Sequence, residues 1–118
     1  MIIAILESEI DTLDRMLEAL SSSGHICFGV ESDERLWQML NDISVELFLI
    51  DWTHPDAVRY DTLARLVQHA TGAPVVLCIT PHTSHSVIDS GMRCGASLAV
   101  EKPSSGADSF HISLSSLH

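Results

Sequence analysis

Positive charge is scarce in this chain: 16 of its 118 residues are Asp or Glu and only 6 are Lys or Arg, for a formal net charge of -10. That balance leaves no basic face with which to neutralise phosphate backbones, which argues against direct nucleic-acid contact by this domain. Cysteine is nearly as sparse. Cys27, Cys78 and Cys94 are odd in number and widely spaced, with no Cys-x-x-Cys pair, so neither a disulfide frame nor a zinc site is expected. Cys27 and Cys78 fall inside apolar runs and read as core filler. Long hydrophobic runs are missing too. Met1 to Leu6 reaches Glu7 without a cationic leader, and the other apolar runs are of strand length. No signal peptide or membrane span is expected, and the chain reads as cytoplasmic.

What is present describes one compact domain over residues 1–118, with 46% hydrophobic and 19% charged residues. Strand-like and helix-like patterns alternate along it. Ile2 to Leu6 is followed by Ile10, Leu13, Leu17 and Leu20 at helical spacing, closed by Ser21-Ser22-Ser23-Gly24. Ile26 to Val30 leads to a Ser32 N-cap, with Asp33 and Glu34 favourable to the helix dipole, and then to Leu36, Leu40 and Ile43. A third strand is expected over Val45 to Ile50. Its helix carries Leu63, Leu66, Val67 and Ala70 on one face and stops at Gly72, and Pro74 prepares a fourth strand over Val75 to Ile79. A helix over Ser84 to Cys94 ends at Gly95, before a short strand near Ser97 to Val100. Ser104 to His118 reads as a last helix, although Phe110, Ile112 and Leu114 alternate as a strand would.

Strands joined by helical crossovers imply a parallel sheet covered on both faces, and near-continuous apolar strands agree with it. The expected architecture is a flavodoxin-like, doubly wound α/β sandwich with a five-stranded parallel sheet in the order 2-1-3-4-5. Its crevice lies at the carboxyl ends of strands 1 and 3. Glu7, Ser8, Glu9 and Asp51 occupy those ends, and Thr80 and Lys102 close strands 4 and 5 on the same edge. Lys102 is the only lysine in the chain. A carboxylate, a hydroxyl and an ammonium in one pocket can accept and hold a phosphoryl group, with Asp51 as nucleophile. No Gly-rich phosphate loop follows the first strand, which counts against a flavodoxin-type cofactor enzyme.

Leu6-Glu7-Ser8-Glu9, Phe48 to Pro55 with Pro55 four residues after Asp51, Leu77-Cys78-Ile79-Thr80, Cys94-Gly95-Ala96 and Glu101-Lys102-Pro103 together resemble the successive signatures of receiver domains of two-component response regulators. The resemblance covers Ile2 to about Pro103. It implies that a histidine kinase or phosphotransfer protein passes a phosphoryl group to Asp51 beside a magnesium ion. Thr80 would swing toward the phosphoryl oxygens and Lys102 would pair with them. The metal would be held by Glu7, Ser8, Asp51 and the backbone carbonyl of Thr53. The domain would be no enzyme beyond self-catalysed phosphoryl acceptance, and would act on an effector domain in a longer regulator or as a homodimer.

Two departures bear on that expectation. Ser8 stands where receivers carry a second acidic metal ligand, so magnesium is expected to bind weakly, with Glu9 as a possible replacement ligand. Ala99 stands where receivers commonly place an aromatic residue, Glu101 directly precedes Lys102, and Pro81 stiffens the loop after Thr80. These favour the alternative of a phosphorylation-independent pseudo-receiver that serves as an interaction or dimerisation module. Trp52 reads as packing. His54, His82 and His85 suggest a transition-metal site at the same mouth, but no recognised ligand pattern accompanies them and exposed loop histidines are the plainer reading.

Overall fold

A computed structural model describes residues 1–69 and 72–103. Ala70 and the segment from Ser104 to His118, for which helical structure is expected, lie outside the described residues.

The strands are β1 (Ile2–Leu6), β2 (Ile26–Val30), β3 (Leu47–Asp51), β4 (Val75–Ile79) and β5 (Leu98–Glu101). Between them run the helices α1 (Ile10–Ser22), α2 (Asp33–Leu40), α3 (Ala57–Val67) and α4 (His85–Arg93). All pairings are parallel and the sheet order is β2-β1-β3-β4-β5, as expected for the doubly wound fold. Side chains alternate across the sheet, so each strand feeds two cores. Ala4, Leu6, Phe48, Ile50 and Leu77 face Leu36 of α2 and Leu63 and Leu66 of α3. Ile3, Ile5, Leu47, Leu49, Val76 and Cys78 face Leu13, Met16 and Leu20 of α1. Burial on both faces is why these strands read as unbroken apolar runs.

Each described helix begins on an oxygen-bearing side chain. Glu9, Ser32, Asp56 and Ser84 accept from backbone N–H groups in the first turns of α1, α2, α3 and α4. Several boundaries differ from those expected. The third strand starts at Leu47 rather than Val45, because its ladder with β1 opens at Ile3↔Leu47. Before it, Glu46 donates its N–H to Ile2 O and accepts from Ile2 N through its carboxylate. Helix α2 ends at Leu40, and Ile43 packs on the core from the following turn. Helix α3 ends at Val67 with Gln68 as its cap, well before Gly72, whose φ is +66°. Ile10 is exposed because it opens α1, and Met16 takes a core place that the leucine spacing did not mark.

Candidate functional site

The parallel topology brings the carboxyl ends of β1, β3 and β5 to one edge, and the chain places one charged residue at each. Asp51 is the last residue of β3, while Glu7 and Lys102 directly follow β1 and β5. The backbone of Lys102 is fixed by its N–H bond to Ile79 O at 2.8 Å, and that of Glu7 by its bond to Val30 O at 3.0 Å. The Lys102 ammonium then bridges two acids, lying 2.5 Å from Glu7 Oε1 and 2.7 Å from Asp51 Oδ1. Glu7 is almost wholly buried, and its other oxygen accepts from the Glu9 N–H at 3.0 Å. A buried carboxylate needs such partners, because desolvation alone would disfavour its charge.

Asp51 Oδ1 also accepts from the Thr53 hydroxyl at 2.8 Å and the Thr53 N–H at 3.1 Å. Burial pushes the Asp51 carboxyl up, but the Lys102 ammonium and the Thr53 bonds outweigh it and hold the group below the usual carboxylate range. Lys102 moves the opposite way for the same reason. Burial pulls it down, and the bonds and charges of Asp51 and Glu7 carry it above its ordinary value.

A second cation reaches Asp51 that sequence reasoning missed. Arg59, in the first turn of α3, donates through NH1 to the backbone carbonyl of Asp51 at 2.7 Å. The same nitrogen lies 3.8 Å from Asp51 Oδ2. Its remaining donors form a two-point bond with Asp33 at the start of α2, Nε to Oδ2 at 3.0 Å and NH2 to Oδ1 at 3.2 Å. Burial pushes the Asp33 carboxyl up, and bonds from Arg59 and Thr62 pull it net downward. A signal was available. A cation in the first turn of a helix opposes the helix dipole, so Arg59 needed an acidic partner nearby, and α2 starts on the same edge of the sheet with Asp33.

Other expected members of the site are near it without joining it. The Thr80 hydroxyl accepts from the His82 N–H at 3.3 Å and lies 3.4 Å from the Thr83 hydroxyl, within its own turn. Nor does Thr80 cap α4, since Ser84 does so. Ser8 is exposed. The Glu9 carboxylate is occupied on the N-terminus of α1, accepting from the N–H groups of Asp11 and Thr12 and from the Thr12 hydroxyl. These bonds, the Thr12 hydroxyl first, hold Glu9 below its ordinary range. Its observed place is thus the N-cap of α1. His54, His82 and His85 are exposed, and no group of three His, Cys, Asp or Glu among the described residues is arranged to hold a metal. Ala99 packs against the α2–α3 core, and Glu101 is exposed.

Magnesium demands near-octahedral oxygen ligation at about 2.0–2.1 Å. Here Glu7 Oε1 is taken up by the Lys102 ammonium as an ion pair without a hydrogen bond, Glu7 Oε2, both Glu9 oxygens and Asp51 Oδ1 accept hydrogen bonds, and Asp51 Oδ2 faces a guanidinium. As assembled, the donor set fits a magnesium ion poorly.

Beneath Asp51 the next residue anchors the mouth to α4. Trp52 is fully buried, donates its indole N–H to Val87 O at 2.8 Å and meets the Tyr60 ring edge-on at 4.8 Å. The Tyr60 hydroxyl pairs with Ser90 at 2.5 Å. Packing at Trp52 is thus as expected, with a polar tie to α4 added. Gly91 lets α4 come this close, because a Cβ there would stand 2.5 Å from Leu77 Cδ1 and 2.8 Å from Trp52 Nε1. Cys78, fully buried beside the charged cluster, has its thiol pushed up by burial and is inert core, as read from sequence.

No family model and no curated protein matches the sequence. Solved structures do match its fold. The receiver domain of NtrX from Brucella abortus is 24% identical with a TM-score of 0.74, over 86% of this chain and 85% of that one. In a longer NtrX chain the match occupies only 22% of the length. The signal receiver domain of an HD domain-containing protein from Pseudomonas fluorescens is 19% identical, with a TM-score of 0.74 over 86% and 82% of the two chains. The response regulator TrrA from Thermotoga maritima, solved with Mg(2+)-BeF, is 17% identical with a TM-score of 0.71 over 86% of each chain. The fold is that of response-regulator receiver domains.

Proposed function

We propose that this domain is a phosphorelay receiver that accepts a phosphoryl group on Asp51 from a histidine kinase or phosphotransfer protein and thereby switches a protein interface. One observation carries the reading. Asp51 Oδ1 is pinned by three hydrogen bonds from Lys102 and Thr53, while Oδ2 has none among the described residues. The carboxylate is held ionised and oriented, with one oxygen left as nucleophile. Oδ2 would attack phosphorus in line as the P–N bond of a phosphohistidine breaks, the electron pair leaving on the imidazole nitrogen. The product is an acyl phosphate. Lys102 stays beside it to offset the added charge, about -1.5 to -2. The Thr80 hydroxyl, held in its turn only by contacts of 3.3 and 3.4 Å, is free to turn toward the phosphoryl oxygens at little cost.

Magnesium, when bound, supplies positive charge at the phosphoryl oxygens, and Glu7, Ser8, Asp51 and the Thr53 carbonyl are the groups the resemblance assigns to it. The complex of TrrA with Mg(2+)-BeF supports that chemistry for the fold; the occupied carboxylates here fit weak binding. The output would pass to an effector domain or a second copy of the chain. No helix among the described residues is long and apolar enough to cross a membrane. The alternative, a pseudo-receiver working without phosphorylation, is favoured by the exposed Ser8 and the crowded carboxylates. Exposure to a small phosphodonor with magnesium, read by intact mass, separates the two. One phosphoryl group on the wild type and none on Asp51→Asn is the expected result. Equal labelling of the two proteins would remove Asp51 as the acceptor, and an unlabelled wild type would leave the interaction module.

A further inference from the structure

We infer that Arg59 is a built-in cation of the phosphoryl site, standing beside Asp51 in place of much of the charge that a divalent metal would bring. The inference rests on the reading of Asp51 as acceptor and deepens it. Three observations converge on it. The guanidinium sits on the side of the carboxylate opposite Lys102, 3.8 Å from the oxygen left free as nucleophile. It is held there at three points, two from Asp33 and one from the Asp51 carbonyl. The acids that would otherwise collect a hard cation are occupied or absent, Glu7 on Lys102, Glu9 on α1 and an exposed Ser8 in place of the second acid.

Charge at the mouth is arranged accordingly. Lys102 is matched to Glu7 and Arg59 to Asp33, and the two cations share Asp51. A guanidinium keeps its charge at every accessible pH and presents several donors in one plane, suited to the oxygens of a phosphoryl group. A phosphoryl carried on Oδ2 adds its oxygens next to NH1. Arg59 therefore neutralises the incoming charge while Lys102 holds Oδ1, and acceptance proceeds without a divalent ion.

The test uses the full chain with phosphoramidate as donor. Its P–N bond breaks, ammonia leaves after taking a proton, and the P–O bond to Asp51 forms. Labelling is followed by intact mass in EDTA and across a magnesium series, for the wild type, Arg59→Gln, Arg59→Lys and Asp33→Asn. The wild type should label in EDTA within about threefold of its rate in magnesium, and Arg59→Gln should fall about a hundredfold in EDTA, as for loss of one preorganised donor. Magnesium should recover part of the Arg59→Gln rate, a crossed response that a merely structural role would not produce. Arg59→Lys and Asp33→Asn should fall between, one keeping charge without the fork and the other loosening its grip.

A wild type that labels only with magnesium overturns the inference and leaves Asp51 standing as acceptor. Labelling of Arg59→Gln in EDTA at the wild-type rate overturns it as well. A wild type that never labels removes the acceptor reading and the role of Arg59 with it. Should circular dichroism show Arg59→Gln unfolded, the other two variants decide, and wild-type rates in both sink the proposal.

Discussion

Lys102 and Arg59 divide the Asp51 carboxylate between them, the ammonium 2.7 Å from Oδ1 and the guanidinium 3.8 Å from Oδ2. Each cation is anchored by a second acid, so neither is free to leave without stranding a charge. Stability and the proposed phosphoryl chemistry therefore draw on the same groups.

Lys102→Met should destabilise the domain by about 3–5 kcal/mol at neutral pH, because Glu7 and Asp51 lose their shared partner in a poorly hydrated place. Glu7→Gln in the same background should restore part of the loss. Urea unfolding of the three proteins measures it. A loss under about 1 kcal/mol, the scale of a solvated pair, would mean that water reaches Glu7.

The pH dependence of that loss has a definite sign. The Asp51 carboxyl is lowered in the fold, so its contribution is present above the ordinary carboxylate pKa of about 3.9 and disappears as pH falls through the lowered value. Lys102 is raised, so its contribution is present below about 10.4 and is lost as pH rises through the raised value. The stability gap between wild type and Lys102→Met should thus be widest near neutrality and shrink toward both ends. A gap constant from acid to alkali would show that packing of the lysine stem, not its charge, makes the difference.

Tryptophan emission offers a local reporter. Trp52 is buried and hydrogen-bonded to α4, whereas Trp37 is partly exposed with the Arg65 guanidinium 4.1 Å above its ring. Iodide should quench Trp37 selectively, and any emission change on phosphodonor treatment should survive Trp37→Phe. Loss of the response in that variant would detach Asp51 from the Trp52–Val87 tie.

Ser8→Asp should raise magnesium affinity in a calorimetric titration, because it adds a carboxylate where the chain has an exposed hydroxyl. Glu9 is engaged on the N-terminus of α1. Equal affinities for the two proteins would show that the crowding of Asp51, rather than the missing acid, limits metal binding.

The sheet was legible because burial on both faces leaves strands as apolar runs with polar ends, and three strands, Ile2–Leu6, Ile26–Val30 and Val75–Ile79, coincide with those runs. Strand order then carried Glu7, Asp51 and Lys102 to one edge. Side-chain direction was not legible. Glu9 and Thr80 sit where the topology puts them, yet local turns claim their oxygens. Helical spacing did not reveal the Arg59–Asp33 pair, which joins two helices across 26 residues, because spacing reports what a helix buries; only the unfavourable place of a cation in the first turn of α3 pointed to it. Thr53 was assigned a carbonyl role alone, although an acid commonly accepts from the backbone N–H two residues on, as Asp51 does here, with the Thr53 hydroxyl added.

Lys102 meets Asp51 across 51 residues, and its other acid, Glu7, belongs to the first strand of the chain. Such contacts are the last to be rewarded during folding, since the loops between them must close first. Until the fifth strand docks, Glu7 has no cation, and a nascent sheet that buried it would do so at the cost of an unpaired charge. The mouth of the sheet should therefore close late in folding, with Lys102 as its latch. Refolding should consequently be little slowed by Lys102→Met, while unfolding should be accelerated by nearly the full loss of stability.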